Sequence, residues 1–190
     1  MIEQHGYSTV EIPGARIAIV QSKWYSEYVE NIVMKCLDGL QRAKCGAIFR
    51  HTVPGCLELP LVCRDLLWSD NDIEAVVVVG ILMKGETDHY DYILEQMTQL
   101  FTWVMWHTEV PILVEVLPVD SIEKVQARSG DNEFNKGIEA ANAAIEIVDW
   151  KRKNRVPDQK GKLMWKVNFP TGSDDPLLKH PFVEPVIRHK

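Results

Sequence analysis

Apolar positions follow two alternating periods along the first 150 residues of the chain. Arg16–Val20 (RIAIV) is a short apolar run with β-branched residues and predicts a strand. Glu27–Ala43 switches period: Val29, Ile32, Val33, Cys36, Leu37 and Leu40 form one stripe of an amphipathic helix. Gly46–Val53 predicts a second strand. Leu59–Trp68 predicts a second helix, introduced by Pro54-Gly55 with Glu58 in its cap region. Glu74–Val79 is a third strand, and the run Val76–Val79 is the signature of one buried on both faces. His89–His107 predicts a long helix and Val110–Leu117 a fourth strand. Ser121–Ala127 predicts a short helix capped by Asp120 or Ser121. Lys136–Trp150 predicts a last helix, with Ile138, Ala141, Ala144, Ile145 and Val148 inward. Such alternation implies βαβ units with right-handed crossovers and a parallel sheet covered on both faces. No solenoid-length repeat is visible, and no GxGxxG follows the first strand, so a dinucleotide fold is not indicated.

Composition narrows the class. An apolar share of 46% in 190 residues supports one full core plus an appendage. No run reaches the ~18 apolar residues of a membrane span, and Met1–Val10 is too polar for a signal peptide. Cys36, Cys45, Cys56 and Cys63 lack CxxC spacing, so neither a disulfide framework nor a metal site is expected, and the chain reads as reduced and cytoplasmic. The net charge of −6 disfavours nucleic acid as a partner. That charge is unevenly spread. Residues 151–190 carry 10 basic and 4 acidic side chains (+6) and half of the ten prolines, which leaves −12 for residues 1–150. The expected organisation is an N-terminal segment (1–14), an α/β domain (15–150) and a basic, irregular C-terminal arm (151–190). Within the arm, 162–169 is a candidate extended stretch, and Trp165 and Phe169 are candidate anchors on the same or a neighbouring subunit.

Open parallel sheets bind ligands beyond the carboxyl ends of their strands. That rule selects Gln21–Tyr25, Val53–Glu58, Gly80–His89 and Pro118–Asp120. Trp24 can stack on a flat heterocycle, and Glu58 can accept hydrogen bonds from hydroxyls. The 85–88 turn, opening a helix, can cradle an anion through its free amides. Lys84 sits on the rim, and His89 can give and take protons near neutrality. Each has a plainer reading. Trp24 can seal the sheet edge, Glu58 can complement a helix dipole, Thr87 and Asp88 can cap a helix, and His89 can be a surface histidine.

Five blocks carry a resemblance: Ser22-Lys-Trp24, Val53-Pro-Gly-Cys-Leu-Glu-Leu-Pro60, Lys84-Gly-Glu-Thr-Asp-His-Tyr-Asp91, Gln126-Ala-Arg-Ser-Gly130 and Asn135-Lys-Gly-Ile-Glu-Ala-Ala141. In this order and spacing, from about Arg16 to Asp149, the chain resembles the lumazine synthases of riboflavin biosynthesis. The resemblance implies a flavodoxin-like three-layer αβα sandwich, a single α/β domain with a four-stranded parallel sheet. It implies condensation of a 5-amino-6-ribitylamino-pyrimidinedione with 3,4-dihydroxy-2-butanone 4-phosphate, with no cofactor and no metal. In that family pattern Trp24 stacks on the pyrimidinedione, and Cys56, Leu57 and Glu58 hold the ring and ribityl chain. The backbone at Leu82 and Met83 reads the ring. Amides of Gly85, Glu86 and Thr87 hold the phosphate, and His89 relays protons. Arg128, with Lys136 nearby, grips the phosphate from an adjacent subunit of a homopentameric ring. Read alone, Arg128 is also a plain C-terminal helix cation.

The chain departs from the family at several places. Tyr25 stands for Asn, Leu57 for an aromatic, and Leu82-Met83 for two β-branched residues. Val114 stands for a Phe that covers the heterocycle, Glu115 for a small residue, and Pro118 for Thr. Two other readings share the scaffold: an archaeal-type riboflavin synthase, and a non-catalytic flavin- or lumazine-binding shell protein.

Overall fold

The computed structural model describes residues 6–157 and 163–165. Four parallel strands, β1 (Arg16–Ser22), β2 (Ala47–Val53), β3 (Ala75–Met83) and β4 (Ile112–Val119), lie in the order β2-β1-β3-β4. The connecting helices are α1 (Ser26–Arg42), α2 (Leu59–Ser69), α3 (His89–Thr108), α4 (Ile122–Ser129) and α5 (Lys136–Asn154). This is the expected three-layer α/β sandwich. The pleat divides the sheet's side chains between two cores. Ile17, Ile19, Val77, Val79, Ile81 and Leu117 face α1, α4 and α5. Ala18, Val20, Val76, Val78 and Val116 face α2 and α3. The valine run of β3 is buried on both faces because β3 is a central strand with helices packed on each side of the sheet.

The edges of several elements differ from expectation. Gly80 was expected to open a loop, yet β3 continues through it to Met83, paired with β4 as far as Met83–Val119. Gly80 is there for space. A Cβ on it would lie 2.9 Å from Cys56 Sγ and 3.1 Å from Ser22 Oγ. Asp88, Glu58 and Ser121 occupy the cap positions of α3, α2 and α4, but none makes a side-chain capping bond. α5 runs past Trp150 to Asn154, so Lys151–Lys153 are helix rather than arm. Lys151 Nζ donates to the Glu109 carbonyl, and Arg152 makes a bidentate pair with Glu74 at 2.6 and 2.8 Å. These bonds fix the helix end to the segments that enter β3 and β4. Of the N-terminal segment, residues 6–14 pack against the domain. Ile12 is buried, its amide donates to Ala43 O at 2.8 Å, and Tyr7 OH donates to Lys35 O at 3.3 Å.

Described by itself, the following segment is an antiparallel pair, β5 (Arg155–Pro157) with β6 (Leu163–Trp165). β6 falls inside the extended stretch expected at 162–169. Phe169 and the rest of the arm lie outside the described residues.

Candidate active site

Two neighbourhoods form beyond the carboxyl ends of the strands. The first gathers the ends of β1, β2 and β3. A Cβ built on Gly55 would sit 3.0 Å from Glu58 Oε2 and 3.7 Å from both Cδ1 and Nε1 of Trp24. The indole and the carboxylate therefore flank one glycine. The Trp24 side is open, at 66% exposure, while Leu57 and Glu58 are half-buried. Val53 O holds the loop by accepting from Lys23 N at 3.0 Å. Cys56 is buried beneath it, and its thiol donates to Ile81 O at 3.6 Å. Burial pushes that thiol's pKa up, and those of Cys36 and Cys63 up to about 12, so none is a thiolate nucleophile at neutral pH.

β1 pairs with β3 only as far as Gln21–Val79. Ile81, Leu82 and Met83 therefore have a ladder partner on the β4 side alone. On that other edge Ile81 O accepts from the Cys56 thiol, so the Cys56 loop meets the end of β3 just before Leu82 and Met83. After Lys84, whose amide donates to Val119 O at 2.7 Å, the chain turns through Gly85, Glu86, Thr87 and Asp88, all exposed. His89 is the first residue of α3 and is exposed. With no side-chain cap, the first-turn amides of this 20-residue helix are open to an external acceptor.

The second neighbourhood is a cavity of about 500 Å³ lined by Leu117, Pro118, Lys124, Arg128, Phe134 and Lys136, among others. It lies in the α4–α5 layer, at the end of the edge strand β4. None of the residues of the Trp24 or His89 loops lines it. Arg128 and Lys136 are thus brought together with each other but not with His89. Lys124 bonds Asp120 at 2.7 Å, and Lys136 bonds Glu139 at 2.6 Å. Arg128 makes no ion pair or side-chain hydrogen bond among the described residues. Asn135, buried, braces the loop between the two cations. Its Nδ2 donates to Gly130 O and its Oδ1 accepts from Gly137 N, each at 2.8 Å.

Sequence reading assigned no role to Lys124, Phe134 or Asn135, and none beyond a departure to Glu115. Glu115 shares a β4 face with Leu113, Leu117 and Val119, and its carboxylate is 3.9 Å from Lys136 Nζ. Burial, partly offset by Lys136, raises its pKa to about 7. The period-2 pattern of β4 held the signal, since it puts an acid on an otherwise apolar face. Val114, on the opposite face, is 41% exposed at the sheet edge. Among the described residues no helix is long and apolar enough to cross a membrane.

Comparison with known proteins agrees with this geometry. The profile of the 6,7-dimethyl-8-ribityllumazine synthase family matches residues 14–152. The 6,7-dimethyl-8-ribityllumazine synthase of Christiangramia forsetii is 34% identical over 154 residues, covering 77% of this chain and 90% of its own. That of Thermobifida fusca is 33% identical over 156 residues (81% and 89%), and that of Bdellovibrio bacteriovorus 32% over 133 residues (70% and 73%). With that profile over most of its length and relatives at this identity, the chain belongs to the 6,7-dimethyl-8-ribityllumazine synthase family.

Proposed function

We propose that this chain condenses a 5-amino-6-ribitylamino-pyrimidinedione with 3,4-dihydroxy-2-butanone 4-phosphate to give 6,7-dimethyl-8-ribityllumazine. The observation that carries the assignment of roles is the convergence of Trp24, Gly55 and Glu58 beside the half-paired end of β3. Trp24 offers an exposed face for the pyrimidinedione. Glu58 accepts from ribityl hydroxyls, with Cys56 and Leu57 shaping the floor. The Leu82–Met83 backbone bonds the ring edge. The uncapped start of α3 takes the phosphate on the amides of Gly85, Glu86 and Thr87.

The reaction divides the work among few groups. The amine attacks the ketone, and loss of one water leaves an imine. His89 hands a proton to the departing oxygen. Proton removal beside the imine then expels inorganic phosphate. Ring closure by the second nitrogen loses a second water. Holding both reactants aligned supplies much of the rate, worth up to about 7–11 kcal/mol in ideal cases.

Arg128 and Lys136 complete the phosphate site of a neighbouring subunit in a homopentameric ring. Support comes from their cavity lying apart from the His89 turn, in the other helical layer. Arg128, unpaired among the described residues, is available for a bidentate grip on phosphate. The test is direct: the protein is mixed with both substrates and lumazine absorbance and fluorescence are followed. Product formation at an enzyme-dependent rate supports the reading. Tight binding of lumazine or flavin without turnover would replace it with the shell-protein reading.

A further inference from the structure

Glu115 lies just behind the cavity lining. Its side chain is 12% exposed and its Oε2 stands 3.9 Å from Lys136 Nζ, which also bonds Glu139 Oε2 at 2.6 Å. Lys136, 23% exposed, is the one cavity cation that reaches back into the core layer. Among the described residues, few groups face Glu115. From α5 come Lys136 and Glu139, and from α1 the Cys36 thiol. β3 presents Val79 opposite it, while the α4 cations Lys124 and Arg128 stand on the cavity side. Lys136 is thus shared between two carboxylates and whatever anion enters the cavity.

We propose that Glu115 is a positioning residue that sets the cavity's charge through Lys136, so that affinity for a phosphate or sulfate group depends on whether Glu115 carries its proton. This rests on the reading that Arg128 and Lys136 receive the phosphate. A protonated Glu115 leaves Lys136 opposed by Glu139 alone. An ionised Glu115 draws the ammonium inward and adds a negative charge behind the anion. The carboxyl is poised for this, because burial raises its pKa to about 7. The step therefore falls within the neutral range.

The test uses the full-length protein and sulfate as a competitive inhibitor against the phosphorylated ketone. Sulfate keeps its charge across neutral pH, so its own titration does not enter. From about pH 6 to about pH 8.5 the inhibition constant of the natural chain should rise about 3- to 10-fold, the range expected for one partly screened charge several ångströms away. Glu115→Gln should hold the low-pH value throughout, with kcat within about 2-fold. Glu115→Met, which fills similar space without charge, should do the same and guards against a folding defect in one variant. A Glu115→Gln protein that keeps the natural pH dependence overturns the proposal, as does a natural chain that shows none. Failure of Arg128→Ala and Lys136→Ala to weaken sulfate would instead overturn the underlying phosphate reading.

Discussion

Gly137→Ala is the substitution with the most direct structural cost. Gly137 opens α5 where that helix crosses α1. A Cβ there would lie 1.9 Å from the Ile32 carbonyl oxygen and 2.8 Å from Cys36 N. Both atoms are helix backbone, so no rotamer change relieves the clash. A carbon–oxygen contact of about 3.3 Å would require α5 to retreat by about 1.4 Å, the difference between 3.3 and 1.9. Ile138, Ala141, Ala144 and Ile145, all buried on α5, would lose packing with it. Overpacking ordinarily costs about 1–3 kcal/mol, and a clash onto backbone belongs at or above the upper end. At about 2–4 °C per kcal/mol for a domain of this size, the melting temperature should fall by roughly 6–12 °C. Lys136 precedes the glycine, so the KM for the phosphorylated ketone should rise as well. Thermal melting followed by circular dichroism reads the first effect. Gly85→Ala is the control: nothing lies within 4 Å of its Cβ, and its stability should change by less than about 0.5 kcal/mol. A Gly137→Ala protein that melts with the natural chain would refute the α1–α5 geometry.

Four further outcomes are expected. His89→Ala should lower kcat about 10- to 10³-fold with ligand binding nearly unchanged, because it removes proton transfer rather than contact area; an unaltered rate of lumazine formation would remove His89 from the mechanism. Arg128→Ala should raise KM for the phosphorylated ketone far more than for the pyrimidinedione, and mixed rings with His89→Ala subunits should regain activity; no recovery in verified mixed rings would place each site within one chain. Tyr25 precedes α1 in the left-handed region, φ 58 and ψ 40; Tyr25→Asn, which tolerates that region, should raise the denaturant midpoint by about 0.5–1 kcal/mol of stability, and a lower midpoint would mean the ring's packing outweighs the strain. Glu115 has a folded pKa of about 7 against 4.5 for an ordinary glutamate, so the stability present below 4.5 is lost as pH rises through 7; Glu115→Gln should recover up to about 3 kcal/mol in urea unfolding at alkaline pH and little near pH 4, and equal gains at both would point to another cause.

Most of the framework was legible because it is written in local periods. The starts of α2, α3 and α5 fall on Leu59, His89 and Lys136 as the pattern predicts. What was missed depends on contacts distant in sequence. Gly80 looks like loop punctuation, but its pairing with Val116 on β4 makes it a strand residue, and the Cys56 thiol and Ser22 hydroxyl packed over it leave no room for a side chain. Trp150 looks like a helix end, yet α5 continues, with Lys151 and Arg152 bonded to Glu109 and Glu74 far along the chain. The loops proposed to face the ligand were legible for a different reason. Each is a contiguous block at a strand end, so spacing alone places it. The cavity is not contiguous. Pro118, Lys124, Phe134 and Lys136 come from four segments, and their meeting is a property of the fold.

Charge shows the same division between chain-wide and local causes. A body carrying −12 over residues 1–150 is an unpromising host for phosphate if net charge is the guide. At the cavity, however, the field is set by pairing within a few ångströms. Lys124 is paired with Asp120, and Lys136 is divided between Glu139 and Glu115. Arg128 is left with its full charge and its planar fork, half-buried where water screens it less. Removing Arg128 should therefore cost more anion affinity than removing either lysine, although the three carry the same formal charge. The two pairs do different things. Lys124–Asp120 lies in the open, at 61% and 57% exposure, and salt screens it, whereas Glu115 behind Lys136 is shielded and able to gate the cavity by a single proton. On the proposed reading, an acidic chain can hold a phosphate provided one arginine is left unpaired and the second carboxylate beside its companion lysine, Glu115, is buried enough to be neutralised near neutral pH.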